Sequence, residues 1–121
     1  MKTNVETGRI GEDLACQYLQ QKGYILLHRN WRFRKSEIDI ICRNQEFTVF
    51  TEVKTKHQLQ FGFPEAAVRR KKKELQLLGA TEYMHRFQVK TQVRFDIIAI
   101  LLLPEGPQIR HFEDAWFPYD L

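Results

Sequence analysis

The sequence predicts an α/β (α+β) fold, a mixed β-sheet flanked by helices with element order αβββαβ(β). Three observations carry this prediction. An amphipathic stretch with helix-capping signals opens the chain, running from Thr3 to Gly23. Three runs rich in β-branched and aromatic residues follow, separated by polar breaks, between Tyr24 and Lys54. A charged, helix-compatible stretch then precedes the most apolar run of the chain, Ile97 to Leu103.

For the first element, Thr3-x-x-Glu6 matches a capping box and Gly23 after Lys22 marks a stop. On a wheel at 100° per residue, Ile10, Leu14, Ala15, Cys16, Tyr18 and Leu19 form one broad apolar arc, and Asp13, Gln17, Gln20 and Gln21 fill the other side. Glu12 falls inside the apolar arc, between Leu19 and Cys16, so one acid is expected to face inward and Asp13 to face water. Gly8 and Gly11 lie on the same face, where missing side chains would allow close approach of a neighbour.

Tyr24 to Phe33 reads as the first strand, Glu37 to Cys42 as a short second strand and Phe47 to Lys54 as a third. The polar turn Arg43-Asn-Gln-Glu46 makes the second and third an antiparallel hairpin. Phe61-Gly-Phe-Pro64 is a break, and Pro64 is placed to open a second helix that reaches about His85. Val93 to Leu103 is a buried strand ended by Pro104-Glu-Gly-Pro107, and Ile109 to Phe112 is a last short strand.

The bulk numbers fit one domain over residues 1–121: 43% of residues are hydrophobic, enough for one core. The net charge of +4 and pI near 9.2 are compatible with a polyanionic partner without requiring one. Cys16 and Cys42 have no CxxC spacing and the four histidines are scattered at 28, 57, 85 and 111, which argues against a disulfide framework and a structural zinc. The apolar run Ile97 to Leu103 is far below the ~20 residues needed to span a bilayer, and the start of the chain lacks a signal-peptide core. A cytoplasmic protein with no membrane partner is expected.

The chemistry is expected in the middle third. Strand side chains alternate faces, so Glu37 shares a face with Asp39, and Glu52 with Lys54. A hairpin brings Asp39 and Glu52 within reach of each other. Two adjacent carboxylates repel, and a hard divalent cation, Mg²⁺ or Mn²⁺, removes that penalty. Such a cation activates a bound water and screens a phosphate oxygen. Lys54 is placed to orient the water or to stabilise developing charge, and Glu12 to add a metal or water contact. Glu-Val-Lys alone is a weak signal, common at strand ends. Its coincidence with Asp39 and an inward Glu12 is harder to assign to chance. Asp96 reads as structural, paired with an arginine, and Trp116 as a packing residue.

Gly8-x-x-Gly11-Glu12-x-x-Ala15, Arg29-Asn-Trp-Arg32, Glu37-Ile-Asp-Ile-Ile41, Phe50-Thr-Glu-Val-Lys-Thr55, Phe61-Gly62 and Arg94-Phe-Asp96 together resemble the YraN-like bacterial family, from Gly8 to about Trp116 and in the right order. That family is similar in pattern to archaeal Holliday-junction resolvases and to the PD-(D/E)xK restriction-endonuclease-like superfamily. The resemblance implies a restriction-endonuclease-like sheet, a core motif of Asp39, Glu52 and Lys54 with Glu12 as the helical acid, metal coordination that includes the Val53 carbonyl, and a homodimer. Ser36 stands where the family usually has glycine, and Thr51 where it has valine; neither touches a motif acid or the lysine.

Two basic clusters complete the reading. Arg69-Arg-Lys-Lys-Lys73 circles a helix, so only some of it can face one ligand; the wheel sets Lys71 near Val68 and Leu75, whereas the resemblance favours Lys72. Arg29 to Lys35 interleaves Trp31 and Phe33 with Arg29, Arg32 and Arg34, a pattern that suits phosphates and unstacked bases as well as an amphipathic strand. Lys56 and His57 extend the basic surface. The expected nucleic-acid contacts are Arg29, Arg32, Arg34, Lys56 and Lys72. The expected function is a metal-dependent endonuclease acting on DNA rather than RNA, on branched or repair intermediates. The rivals are a non-catalytic nucleic-acid-binding module of the same fold and a protein-assembly module.

Overall fold

A computed structural model describes residues 3–57 and 68–118. Helix α1 spans Asn4–Gln21, strands β1 Ile25–Phe33, β2 Ser36–Arg43 and β3 Phe47–His57 follow, then helix α2 Arg70–Arg86 and strands β4 Gln92–Leu103 and β5 Gly106–Phe112. The five strands form one sheet in the order β1-β2-β3-β4-β5. β3 and β4 are parallel and every other pair is antiparallel, so the sheet is mixed. The element order is the expected one.

Thr3 caps α1: its side chain accepts the Glu6 amide at 3.1 Å, and Gly23 turns the chain away with φ +95°. The turn between β2 and β3 is held by Asn44, whose Oδ1 accepts the amides of Glu46 (2.9 Å) and Phe47 (2.8 Å). The second helix departs from expectation. It begins at Arg70 with Arg69 as an extended N-cap residue that makes no side-chain cap bond, and the expected opening at Pro64 lies outside the described residues. β1 likewise begins at Ile25, with Tyr24 preceding it.

The helices cover opposite faces. On one, Ala15, Cys16 and Leu19 of α1 pack on Ile40, Cys42, Val49, Ile98 and Ile100. On the other, Ala80 and Tyr83 of α2 pack with Trp31, Ile38, Ile41, Phe50 and Phe95. Burying each large apolar side chain contributes about 1.5–3 kcal/mol, so the two clusters hold both layers. Each helix comes close to the sheet at a glycine. A Cβ on Gly11 would lie 1.8 Å from Thr55 Oγ1, and one on Gly79 would lie 2.2 Å from Ser36 Oγ. Ser36 therefore occupies space that Gly79 leaves open. Gly8, expected to share the role of Gly11, has nothing within 4 Å of a built Cβ.

Simple alternation fails in β2. Ile38 and Ile41 both pack under α2, whereas Ile40 and Cys42 pack under α1. The irregularity falls at Asp39, and Asn30 lies opposite it on β1, between the pairs Arg29–Ile40 and Trp31–Ile38. Asn30 adopts φ +51°, a left-handed conformation unusual within a strand. Pairing of β2 with β3 runs from Arg43–Thr48 to Ile40–Thr51. Asp39 thus stands where the two strands part.

Candidate active site

Asp39 fills the fork between β2 and β3. Its Oδ2 accepts the Val53 amide at 2.8 Å, so a side-chain oxygen takes a donor that a further rung of the ladder would have used. The Asp39 carboxylate thus turns toward the gap, while Glu37, which lines the same cavity, pairs outward with Arg32 at 3.5 Å. In a strand the N–H and C=O of one residue point to the same side. The Val53 carbonyl therefore also faces the fork, where the family resemblance puts a metal contact.

Phe50 packs under α2, and alternation along β3 sets Glu52 and Lys54 on that same side, with Val53 and Thr55 toward α1. Glu52 is 4% exposed. Its Oε1 pairs with Lys72 Nζ at the start of α2, and its buried Oε2 has no hydrogen-bond partner among the described residues. A buried carboxylate oxygen without a donor is costly, since its full desolvation penalty is uncompensated. Lys54 is half-buried, two residues along the same face. Of the basic run at the start of α2, Lys72 is the residue that reaches Glu52.

Glu12 approaches from the α1 side. It is half-buried while Asp13 is exposed, as the wheel indicates, and its Oε1 lies 3.7 Å from the Arg29 guanidinium. Burial is the main cause that pushes the Asp39 carboxyl up to about 7; the Val53 amide opposes it, while the charges of Glu12 and Glu52 raise it further and Lys72 lowers it. Three acids from two faces of the sheet thus bear on one point.

A trench of about 500 Å³ opens over this point. Lys35, Glu37 and Asp39 line one side, and Arg69, Lys71 and Lys72 the other. From sequence these cations are members of clusters, and only Lys72 is assigned to the site. The contact of α2 with β2 sets Lys35 opposite Arg69 and Lys71, and no local spacing reports that contact. The expected nucleic-acid contacts divide accordingly. Arg29 is bound by the acids of α1, at 2.8 Å from Asp13. Arg34 lies over the Phe33 ring at 5.1 Å, at the tip of the β1–β2 hairpin. Lys56 is half-buried on the Glu52 side, whereas His57 turns to α1 and bonds Thr7 Oγ1 at 2.8 Å.

Among the described residues no three His, Cys, Asp or Glu side chains are gathered tightly enough to hold a metal ion by themselves. The residues present fit a small hard cation in another way. Mg²⁺ is commonly bound by one or two carboxylates, with waters and substrate phosphate completing the shell. Asp39, Glu52 and the Val53 carbonyl match that donor set, and Glu52 Oε2, without a hydrogen-bond partner among the described residues, is suited to be a ligand atom. Glu12, engaged by Arg29, is suited to hold a water rather than the ion.

Asp96 is structural, as expected. Arg94 donates to it through Nε and a terminal nitrogen, both at 2.9 Å, His111 Nε2 lies 2.6 Å away, and the Asp114 amide donates at 3.1 Å. Trp116 is buried, its ring 4.2 Å from that of Phe95.

Among the described residues no helix is long and apolar enough to cross a membrane. Residues 11–100 match the family profile described as Uncharacterised protein family UPF0102. The chain is 39% identical over 119 residues to a UPF0102 protein of Flavobacterium psychrophilum, covering 98% of this chain and 100% of that one. It is 36% identical over 123 residues to one of Flavobacterium johnsoniae, covering 98% and 100%, and 37% identical over 117 residues to one of Syntrophus aciditrophicus, covering 96% and 92%. With a matching profile over most of its length and relatives matched nearly end to end, the chain belongs to the UPF0102 family.

Proposed function

We propose that this protein is a metal-dependent nuclease of restriction-endonuclease-like type, hydrolysing DNA phosphodiester bonds, with branched or repair intermediates as its substrates. The observation that carries the reading is the buried Glu52 with an unbonded oxygen, beside an Asp39 whose ionisation burial and neighbouring acids oppose. Stability alone gives no reason to keep two such acids together, whereas a divalent cation does.

Asp39, Glu52 and the Val53 carbonyl would hold Mg²⁺ or Mn²⁺. When bound, the ion supplies a more acidic water and screens charge on the phosphate. Lys54, on the Glu52 side of β3, orients the attacking water and offsets charge that develops on the phosphate oxygens. Glu12 accepts a hydrogen bond from a water on the α1 side. Lys35, Arg69, Lys71 and Lys72 hold the substrate phosphates along the trench walls. A homodimer would suit a symmetric branched substrate.

The test incubates the purified protein with linear, nicked, flapped and four-way DNA in Mg²⁺ or Mn²⁺. Cleavage of at least one form is expected, reduced at least about a hundredfold in Glu52→Gln. DNA left intact in every form with both metals overturns the proposal.

The cations of the trench also favour a second reading, a nucleic-acid-binding module without catalysis. It requires salt-sensitive binding, unchanged in Asp39→Ala, with no cleavage.

A further inference from the structure

A second cavity, of about 470 Å³, lies on the same face of the sheet at the other end of α2. Its chemistry differs from that of the trench. Three rings line it: His28, Tyr83 and Phe87. They pack on one another, with centroids 4.5 Å apart for Tyr83 and Phe87 and 5.3 Å from His28 to each. Phe87, the residue that caps α2, is 48% exposed, unusual for a ring that could have been buried. Arg43 and Lys90, both exposed, are the charged residues of the lining, and no acid is among the described residues there. Thr48 and Thr91, whose hydroxyls bond each other at 2.7 Å, add polar groups.

We propose that this cavity binds an unpaired nucleobase carrying a phosphate, with the base against the Phe87 and His28 rings and the phosphate held by Arg43 and Lys90. An apolar, π-faced wall takes any base, because every base has a flat π surface. Two cations without a facing acid select an anionic group beside it. One feature of the fold opposes this: the C-terminus of α2 carries about half a negative charge. Two full cations at the cavity, Arg43 and Lys90, outweigh it.

The placement fits a strand that also lies in the trench. Arg43 is four residues beyond Asp39 on β2, about 13 Å along the strand. The rings continue from the cavity toward the hairpin, Tyr83 to Trp31 at 5.4 Å and Trp31 to Phe33 at 6.4 Å, with Arg86 over both Trp31 and Phe33. The proposal stands on this lining alone and does not depend on cleavage.

The experiment titrates the full-length protein, without divalent metal, with adenosine monophosphate, with single-stranded oligothymidylate and with inorganic phosphate, following backbone amide resonances. The nucleotide and the oligomer should both shift the amides of His28, Phe87, Lys90 and Thr91. Phe87→Ala and Lys90→Glu should each weaken this binding about 10-fold, with the remaining spectrum preserved. A response to adenosine monophosphate alone identifies a free nucleotide as the ligand, and a response to both a strand end or unpaired strand. Shifts confined to the trench residues, no shifts, an equal response to inorganic phosphate, or binding unchanged in both variants overturns the proposal. Because Asp39 and Glu52 are untouched and no metal is present, failure here leaves the nuclease reading standing, and failure to cleave leaves this one standing.

Discussion

A buried acid and a half-buried one, in neighbouring parts of the sheet, have opposite surroundings. Asp96 on β4 is 1% exposed and receives donors from Arg94, His111 and the Asp114 amide. Burial works to raise its carboxyl, yet the hydrogen bonds of His111 and Arg94 hold it below its ordinary value. Asp39 receives the Val53 amide and faces Glu12 and Glu52, and its carboxyl is pushed up to about 7. The rungs are close: Asp96 pairs with Thr51, the residue before Glu52. One acid is a structural tie between β4, β5 and the segment after β5. The other is left with charge that the protein itself only partly offsets, which is the arrangement expected where a ligand supplies the remainder.

The largest test of this contrast is Asp96→Ala. It leaves the Arg94 guanidinium, 5% exposed, without its main partner, and should lower unfolding free energy by about 3–5 kcal/mol in urea titrations. A loss below about 1 kcal/mol breaks the structural half of the comparison.

Asp39→Asn should act in the opposite sense. A carboxyl whose value is raised from 3.8 to about 7 in the folded state binds more protons folded than unfolded between those limits. Stability of the metal-free protein therefore falls as pH rises through that window, by on the order of 2–4 kcal/mol for this one group. Asp96 contributes with the other sign, its stabilisation being lost only as pH falls below the ordinary carboxylate range. The amide introduced by Asp39→Asn can still accept from the Val53 N–H and carries no charge. The variant should lack the decline between pH 4 and 7 and be the more stable protein at pH 8, while losing any cleavage. A pH profile of thermal unfolding identical to that of the parent removes Asp39 as the strained acid.

The smallest effect sharpens how α1 bears on the fork. Gly11→Ala forces α1 away from Thr55 and should cost about 1–3 kcal/mol. Glu12 moves with it, so the apparent titration of Asp39, followed by NMR, should shift downward. Thr55→Ala should rescue part of the stability, because it removes the atom that a Cβ on residue 11 would meet first. Additive losses in the double variant would show that the close approach at Gly11 does not position α1.

What is legible in the sequence and what is not divide for physical reasons. Capping at Thr3, the inward turn of Glu12, the polar turn at Asn44 and the ends of β4 depend on neighbours within a few residues, and each is found close to its expected place. The start of α2 is not, because Pro64 is a local signal and Arg70 is where helix begins in the described residues. The turn of Asp39 into the fork also escapes local pattern. Period-two alternation assumes an unbroken strand, and the irregularity here spans two strands. Asn30 within a β pattern is the one available hint, since asparagine tolerates the left-handed conformation better than most residues.

The amino-acid sequence by itself determined the element order, the one inward acid of α1, and the residues Asp39, Glu52 and Lys54 as the group to examine, because periodicity and side-chain type are written locally. Only the tertiary structure decided which cations meet those acids. Lys72 rather than Arg29 stands at Glu52, because α2 crosses β2 near Gly79 while β1 hands Arg29 to the acids of α1. Long-range packing sets such pairings, and with them whether both oxygens of a buried carboxylate receive donors, as at Asp96, or one is left without a donor among the described residues, as at Glu52 Oε2.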